Sequence, residues 1–213
     1  MTDNNSDDEI QLPEDTLKVL QEFLHEREQA SNENCESIEE DWQLSQFWYS
    51  EETARRLVDE CIHSLKEKTR AQIACISCPT LMSFFLQKEE VINGSINITL
   101  FEYDDRFAIK YGDRFVHYDY NSPLTVPVEM CHAFDLVVSD PPFLSEECFV
   151  KVAQTMRLLA KDSDSKSLLC TGTIMEELAQ RLLKMHKCSF KPTHARNLGN
   201  DFSCFANFET NLL

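Results

Sequence analysis

The 213-residue sequence predicts an α/β fold: a mainly parallel central sheet flanked by helices, with a helical N-terminal extension. Three observations predict it. From residue 71 onward, short apolar runs of strand length alternate with stripes at helical spacing, as successive β and α elements should. The run 134–139 is almost wholly apolar, as an inner strand covered on both faces should be. Acidic residues crowd into the first 41 positions, of which the first twelve have no apolar periodicity. Residues 1–37 therefore read as an acidic arm, partly disordered with one helix, and residues 38–213 as the α/β domain.

The elements follow in order. Residues 1–12 are polar and aperiodic, which predicts disorder. Pro13 opens a helix, with Glu14 and Asp15 in its first turn and Leu17, Leu20 and Leu24 on one face. A polar linker over 31–40 leads to an aromatic cluster, Trp42, Phe47, Trp48 and Tyr49. Ser50 caps a helix whose stripe is Ala54, Leu57, Val58, Cys61, Ile62 and Leu65. Strand one spans 73–77, a helix 79–88, and strand two 96–101, ending at Glu102. A helix over 104–111 stops at Gly112, and strand three spans 114–118. A proline-bearing connection over 121–133 leads to strand four, 134–139. Ser145 caps the next helix, 167–171 is strand five, and Thr173 with Glu176 spells a capping box. The runs 187–191 and 202–208 read as two late strands.

The net charge is −17, of which residues 1–41 carry −12 through fourteen acids and two bases. Nucleic-acid binding relies on basic surface that neutralises phosphates, and no basic cluster interrupts this chain. The field suits a basic protein partner, although a purely solubilising arm accounts for it equally well. No apolar run approaches the length of a membrane span. The nine cysteines are odd in number, several lie in apolar runs, and no signal-type segment precedes them. They read as reduced, buried thiols of a cytosolic or nuclear protein, with the cytoplasm the compartment expected. Cys75 and Cys78 form the one CxxC, with no second pair to complete a zinc site. A redox role and simple packing at a strand end both fit it, and no metal is expected.

In a parallel α/β sheet, ligands bind at the carboxyl ends of the strands. Those ends bring forward Ser77 and Cys78, Glu102, Asp119 and Asp140. Asp140, Pro141, Pro142 and Phe143 follow strand four directly. Two consecutive prolines stiffen the chain and lack amide hydrogens, leaving rigid carbonyl acceptors. Those acceptors and the carboxylate can orient an amine, and the ring can pack against a cationic methyl donor. The set suits methylation of an amino nitrogen, where positioning is the main catalytic lever. A plain proline turn ending a strand is the bland alternative.

Asp140-Pro141-Pro142-Phe143 resembles the [DN]PP[YF] signature of Rossmann-like class I amino-methyltransferases. With the segments 134–148, 42–50, 101–104, 170–172 and 196–198, the chain resembles the eukaryotic elongation factor 1-alpha lysine methyltransferase 1 family. That family earlier carried the label of an N6-adenine DNA methyltransferase. The resemblance covers roughly 38–208, and makes 38–213 a class I methyltransferase domain. It implies S-adenosylmethionine as methyl donor and a lysine of translation elongation factor 1-alpha, a basic protein, as acceptor. It assigns catalysis to Asp140, Pro141, Pro142 and Phe143, and cofactor binding to Ser77, Cys78, Glu102, Asp119 and Asp140. Glu102 would bind the ribose hydroxyls, and Asp119 the adenine end unless it serves only as a turn residue. Trp48, Tyr49, Phe143 and Asn197 would line the acceptor side, although the aromatics could equally staple the first helix to the sheet. A monomer that binds neither nucleic acid nor membrane completes the expectation. One departure from generic class I enzymes stands out: the loop after strand one, Ser77-Cys78-Pro79-Thr80, contains no glycine. A nucleic-acid adenine methyltransferase and a catalytically silent binding module are the competing readings.

Overall fold

A computed structural model describes residues 38–196 and 198–213. The predicted arm, with its helix, and Asn197 lie outside the described residues. Glu40–Leu213 is one compact unit.

Its core is a seven-stranded sheet: β1 (Ala71–Ile76), β2 (Ile96–Glu102), β3 (Phe115–His117), β4 (Leu136–Ser139), β5 (Lys166–Gly172), β6 (His186–Lys187) and β7 (Phe202–Ala206). The strand order is β3-β2-β1-β4-β5-β7-β6. The first five are mutually parallel, while β7 runs antiparallel to both β5 and β6. The helices are α1 (Glu51–Ser64), α2 (Thr80–Phe85), α3 (Glu89–Ile92), α4 (Arg106–Tyr111), α5 (Glu146–Leu159) and α6 (Glu176–Leu183).

Side-chain alternation along a strand supplies both faces of the sheet. Ala74 and Ile76 of β1 join Phe101, Val137 and Leu169 against Phe149, Val152 and Met156 of α5. Ile73 and Cys75 point the other way, where burial first and then the neighbouring Cys75 push the Cys61 thiol up. Every residue of β4 is buried, as its composition predicts. At the edges, β3 is only partly buried and the two residues of β6 are exposed.

Register aligns the strand ends. Ile76 pairs with Phe101 on one side and Ser139 on the other, and Glu102 pairs with His117. The Ser77 amide donates to Phe101 O at 2.9 Å, the Asp140 amide to Ile76 O at 3.0 Å, and the Tyr118 amide to Glu102 O at 2.9 Å. Four chain exits therefore open along one rim, and the order reverses between β1 and β4, where open α/β sheets bind ligands.

Several expected elements differ. The helix over 79–88 is two short helices, α2 and α3, broken at residues 86–88. The run 187–191 shrinks to the two-residue β6. The capping box at Thr173 does not form. Residues Thr173–Met175 make a 3-10 turn, and the Thr173 hydroxyl pairs with Ser203 Oγ at 2.7 Å, taking the capping oxygen into a contact with β7. Among the described residues no helix is long and apolar enough to cross a membrane.

Candidate active site

The loop after β1 carries the glycine-free segment. Ser77 has φ +53°, in the left-handed region that glycine ordinarily occupies. A serine thus makes the turn itself, at a conformational cost of about 1–2 kcal/mol. Cys78 is buried behind it, with its thiol 3.7 Å from Val138 O. Among the described residues no cluster of three metal-ligating side chains occurs, and the eight described cysteines are unpaired.

After β2, the Glu102 carboxyl accepts the Tyr103 amide at 2.9 Å and the Asp104 amide at 3.3 Å, both on Oε1. Oε2 is left for the cavity that Glu102 lines. Burial raises Glu102 to about 7, against the two amides, which pull it down. Asp104 behaves oppositely. Burial would raise it, but hydrogen bonds from Arg106 and Gln46 outweigh burial and hold its carboxyl below the ordinary range.

After β3, Asp119 is half-buried and accepts the Asn121 amide at 2.8 Å on Oδ1, so it builds a turn and lines the cavity at once. Tyr118 is buried, with its hydroxyl 2.8 Å from Thr155 Oγ1.

After β4 come the four residues of the motif. Pro141 is buried, and Phe143 is exposed with its ring 5.6 Å from that of Tyr120. Asp140 opens on the cavity but is otherwise enclosed by protein. Burial raises it to about 7; the Tyr49 hydroxyl opposes the shift and the Glu102 charge adds to it. Two carboxyl groups of raised pKa thus face one space, which is characteristic of functional sites.

All four exits line a cavity of about 520 Å³. Ser77, Cys78, Glu102, Asp119, Asp140, Pro141, Pro142, Phe143 and Trp48 all contribute to its wall. Tyr49 does not. It is 4% exposed, pairs with His194 through an isolated bridge, and stacks on the His194 ring at 5.1 Å. Its hydroxyl is buried beside the Asp140 carboxyl and the Cys170 thiol and forms no well-shaped hydrogen bond. The structure therefore places Tyr49 behind the cavity, in support of Asp140.

Sequence reasoning missed some of the polar residues of the wall. Gln46, Asn200 and His194 line the cavity, and Asp104 and Arg106 brace it from behind. The segment 42–49 attracts attention for its aromatics, whereas Gln46 between them carries the hydrogen bonds. Asn200 and His194 belong to a loop without periodicity and give no sequence signal.

A seven-stranded sheet of this order with one antiparallel β7, an acid closing β2 and Asp-Pro-Pro-Phe closing β4 define a class I methyltransferase. The family described as "Probable N6-adenine methyltransferase" matches residues 40–210. A protein-lysine N-methyltransferase of Caenorhabditis elegans, M142.8, is 51% identical over 97% of this chain and 98% of its own. The EEF1A lysine methyltransferase 1 of Mus musculus is 47% identical over 100% of this chain and 98% of its own. The chain belongs to this methyltransferase family, whose curated members include protein-lysine N-methyltransferases. A solved branched-chain polyamine synthase from Thermus thermophilus shares the fold, with TM-score 0.56 and 12% identity over 85% of this chain and 62% of that one.

Proposed function

We propose that this protein transfers a methyl group from S-adenosylmethionine to the ε-amine of a lysine on translation elongation factor 1-alpha. It would act as a monomer in the cytoplasm, a reducing compartment that suits its unpaired cysteines. The observation that carries the reading is the convergence of Glu102 and the Asp140–Phe143 motif on one cavity, in a chain whose relatives are named for lysine methylation.

The cavity fits the donor. About 520 Å³ lies in the range of cofactor sites, and Glu102 has a carboxylate oxygen to offer a pair of ribose hydroxyls. The Ser77 and Cys78 loop would flank the donor, and Asp119 would meet its adenine end. The donor supplies an electrophilic methyl group on a sulfonium. The remaining chemistry belongs to the protein. A lysine must arrive neutral, because an ammonium has no lone pair, and a desolvated pocket favours the neutral form. The Asp140 carboxylate and the rigid carbonyls of the Asp140-Pro141-Pro142 segment accept the amine hydrogens and aim the lone pair. Phe143 lays an aromatic face against the reacting nitrogen, worth about 0.5–2 kcal/mol if charge develops there. Trp48 lines the same space, and Asn197 would border the acceptor side.

Labelled methyl transfer into a cell lysate tests the reading, comparing the protein with Asp140→Ala. The expected result is one Asp140-dependent protein band at the size of elongation factor 1-alpha. Label in nuclease-sensitive material would instead select adenine as the acceptor, and label lost only on cofactor omission, with Asp140→Ala fully active, would remove Asp140 from the chemistry.

A further inference from the structure

Residues 41–48 carry a stretch of the wall, Gln43–Phe47, to which the chemistry above gives no role. The segment begins with a 3-10 turn, Trp42–Leu44, capped by Asp41, whose side chain accepts the Gln43 amide. Ser45 then reverses the chain at φ +54°. Residues 43–48 line the cavity. One tie runs to the β2 exit. Gln46 is 6% exposed, and its amide is spent on protein partners. Nε2 donates to Asp104 Oδ2 at 2.9 Å; Oε1 accepts Arg106 Nη2 and the Asp41 amide, each at 3.1 Å. Arg106 also clasps Asp104, with Nη2 to Oδ2 at 2.6 Å. The other tie runs to the loop between β6 and β7. The Trp48 carbonyl accepts the Ala195 amide at 2.8 Å, and the Thr193 carbonyl accepts the Ser50 amide at 2.9 Å. Glu40 pairs with Arg196 at 3.4 Å, and the Arg196 guanidinium lies 5.7 Å from the centre of the Trp42 ring.

The two ties differ in kind. The second uses backbone bonds and is continuous with the fold. The first is a side-chain clasp centred on one neutral amide, with the Trp48 ring meeting the Phe107 ring edge-on at 6.1 Å beside it. The Asp104 amide donates to Glu102 Oε1, so the clasp reaches the carboxylate through a single residue. We infer that residues 41–48 are a strap over the cofactor half of the cavity, and that Gln46 is a positioning residue that keeps it closed through Asp104 and Arg106. The inference rests on the cofactor cavity proposed above. Opening the clasp frees the strap along its polar side while leaving the backbone bonds to 193–195 in place. Gln46 thereby governs how fast cofactor enters and leaves, and not the methyl transfer itself.

Both tryptophans of the chain, Trp42 and Trp48, lie on the strap, so intrinsic fluorescence reports its state. The test measures release of S-adenosylhomocysteine by stopped flow, together with KM for S-adenosylmethionine and kcat. Loss of hydrogen bonds to charged partners predicts about tenfold faster release and about tenfold higher KM in Gln46→Leu, with kcat changed less than about threefold. Arg106→Gln keeps the bond from Gln46 to Asp104 but loses the guanidinium fork, and is expected to give a smaller shift in the same direction. Because Arg106 is partly exposed, that variant decides the matter if Gln46→Leu does not fold. Unchanged release and KM in the folded variants would overturn the clasp. A wild-type protein that binds no S-adenosylhomocysteine would overturn the cofactor reading beneath it, a different outcome in the same experiment.

Discussion

Asp140 and Glu102 face the same cavity, and burial sets the charge of each. Both are raised to about 7, so each is largely protonated below that pH and ionised above it. A protonated Asp140 loses its negative charge and turns one oxygen into a donor, so it holds the amine hydrogens more weakly than the carboxylate does. Methyl transfer is therefore expected to rise as pH increases through about 7, and to continue rising while the acceptor lysine, ordinarily near 10.4, loses its proton. A kcat–pH profile checks this: Asp140→Asn should lose the limb near 7, and Asp140→Ala should lose on the order of 100-fold or more in kcat. The linkage has the opposite sign for stability. Groups raised in the folded state stabilise it at acid pH, and that contribution is lost as pH climbs through about 7. Ser77 makes a separate prediction. Its φ of +53° suits glycine, so Ser77→Gly should leave the fold stable or gain up to about 1 kcal/mol, and Ser77→Val should cost more than that, by thermal denaturation. The sequence shows the glycine missing from this loop; it does not show that serine takes on the glycine conformation, because φ is settled by how β1 must turn into α2.

Most elements were legible because local signals agreed with burial. Ser50 is one. Its side chain accepts the Thr53 amide as an N-cap and also meets Thr193 Oγ1 at 2.7 Å. Ser50→Ala should therefore cost about 1–2 kcal/mol, toward the upper end of a plain cap, measured by denaturant unfolding. Ser145 caps α5 in the same way, through the Cys148 amide. Where prediction and structure part, a tertiary contact has replaced a local one. The Thr173 hydroxyl turns to Ser203 across the sheet, so a correct capping-box spelling yields a 3-10 turn. The late run 187–191 has the composition of a strand, but its pairing with β7 ends after Lys187 and the Cys188 amide, which donates to Cys204 O at 2.9 Å. The antiparallel β7 follows from a topology that periodicity does not encode. Its phenylalanines alternate poorly because all five residues of the strand are buried, so both faces are apolar.

At the scale of the molecule, charge and cavity fall largely in different parts of the chain. The net charge of −17 sits mostly in the first 41 residues, and the cavity belongs to the unit Glu40–Leu213. If the arm serves encounter with a basic partner, removing residues 1–37 should lower kcat/KM for elongation factor 1-alpha severalfold at low salt. The loss should shrink at high ionic strength while KM for S-adenosylmethionine stays unchanged. Steady-state kinetics at two salt concentrations would show it. The strand-end part of the cavity wall could be read from sequence because Ser77, Glu102, Asp119 and Asp140 stand at strand ends, and strand ends follow from apolar runs. The supporting part could not: Gln46 and Asp104 lie 58 positions apart, and nothing local announces their bond. Tyr49 was legible as important but not in its role, since burial behind Asp140 depends on the bridge to His194. The central claim, that Asp140 presents a lysine amine to the methyl donor, is tested most directly by site-resolved mass spectrometry. Purified elongation factor 1-alpha would be incubated with S-adenosylmethionine and either the wild-type protein or Asp140→Ala. The account predicts methylation confined to one lysine with the wild-type protein and none with the variant. No lysine methylation by a wild-type protein that binds the cofactor, or equal methylation by both proteins, would contradict it.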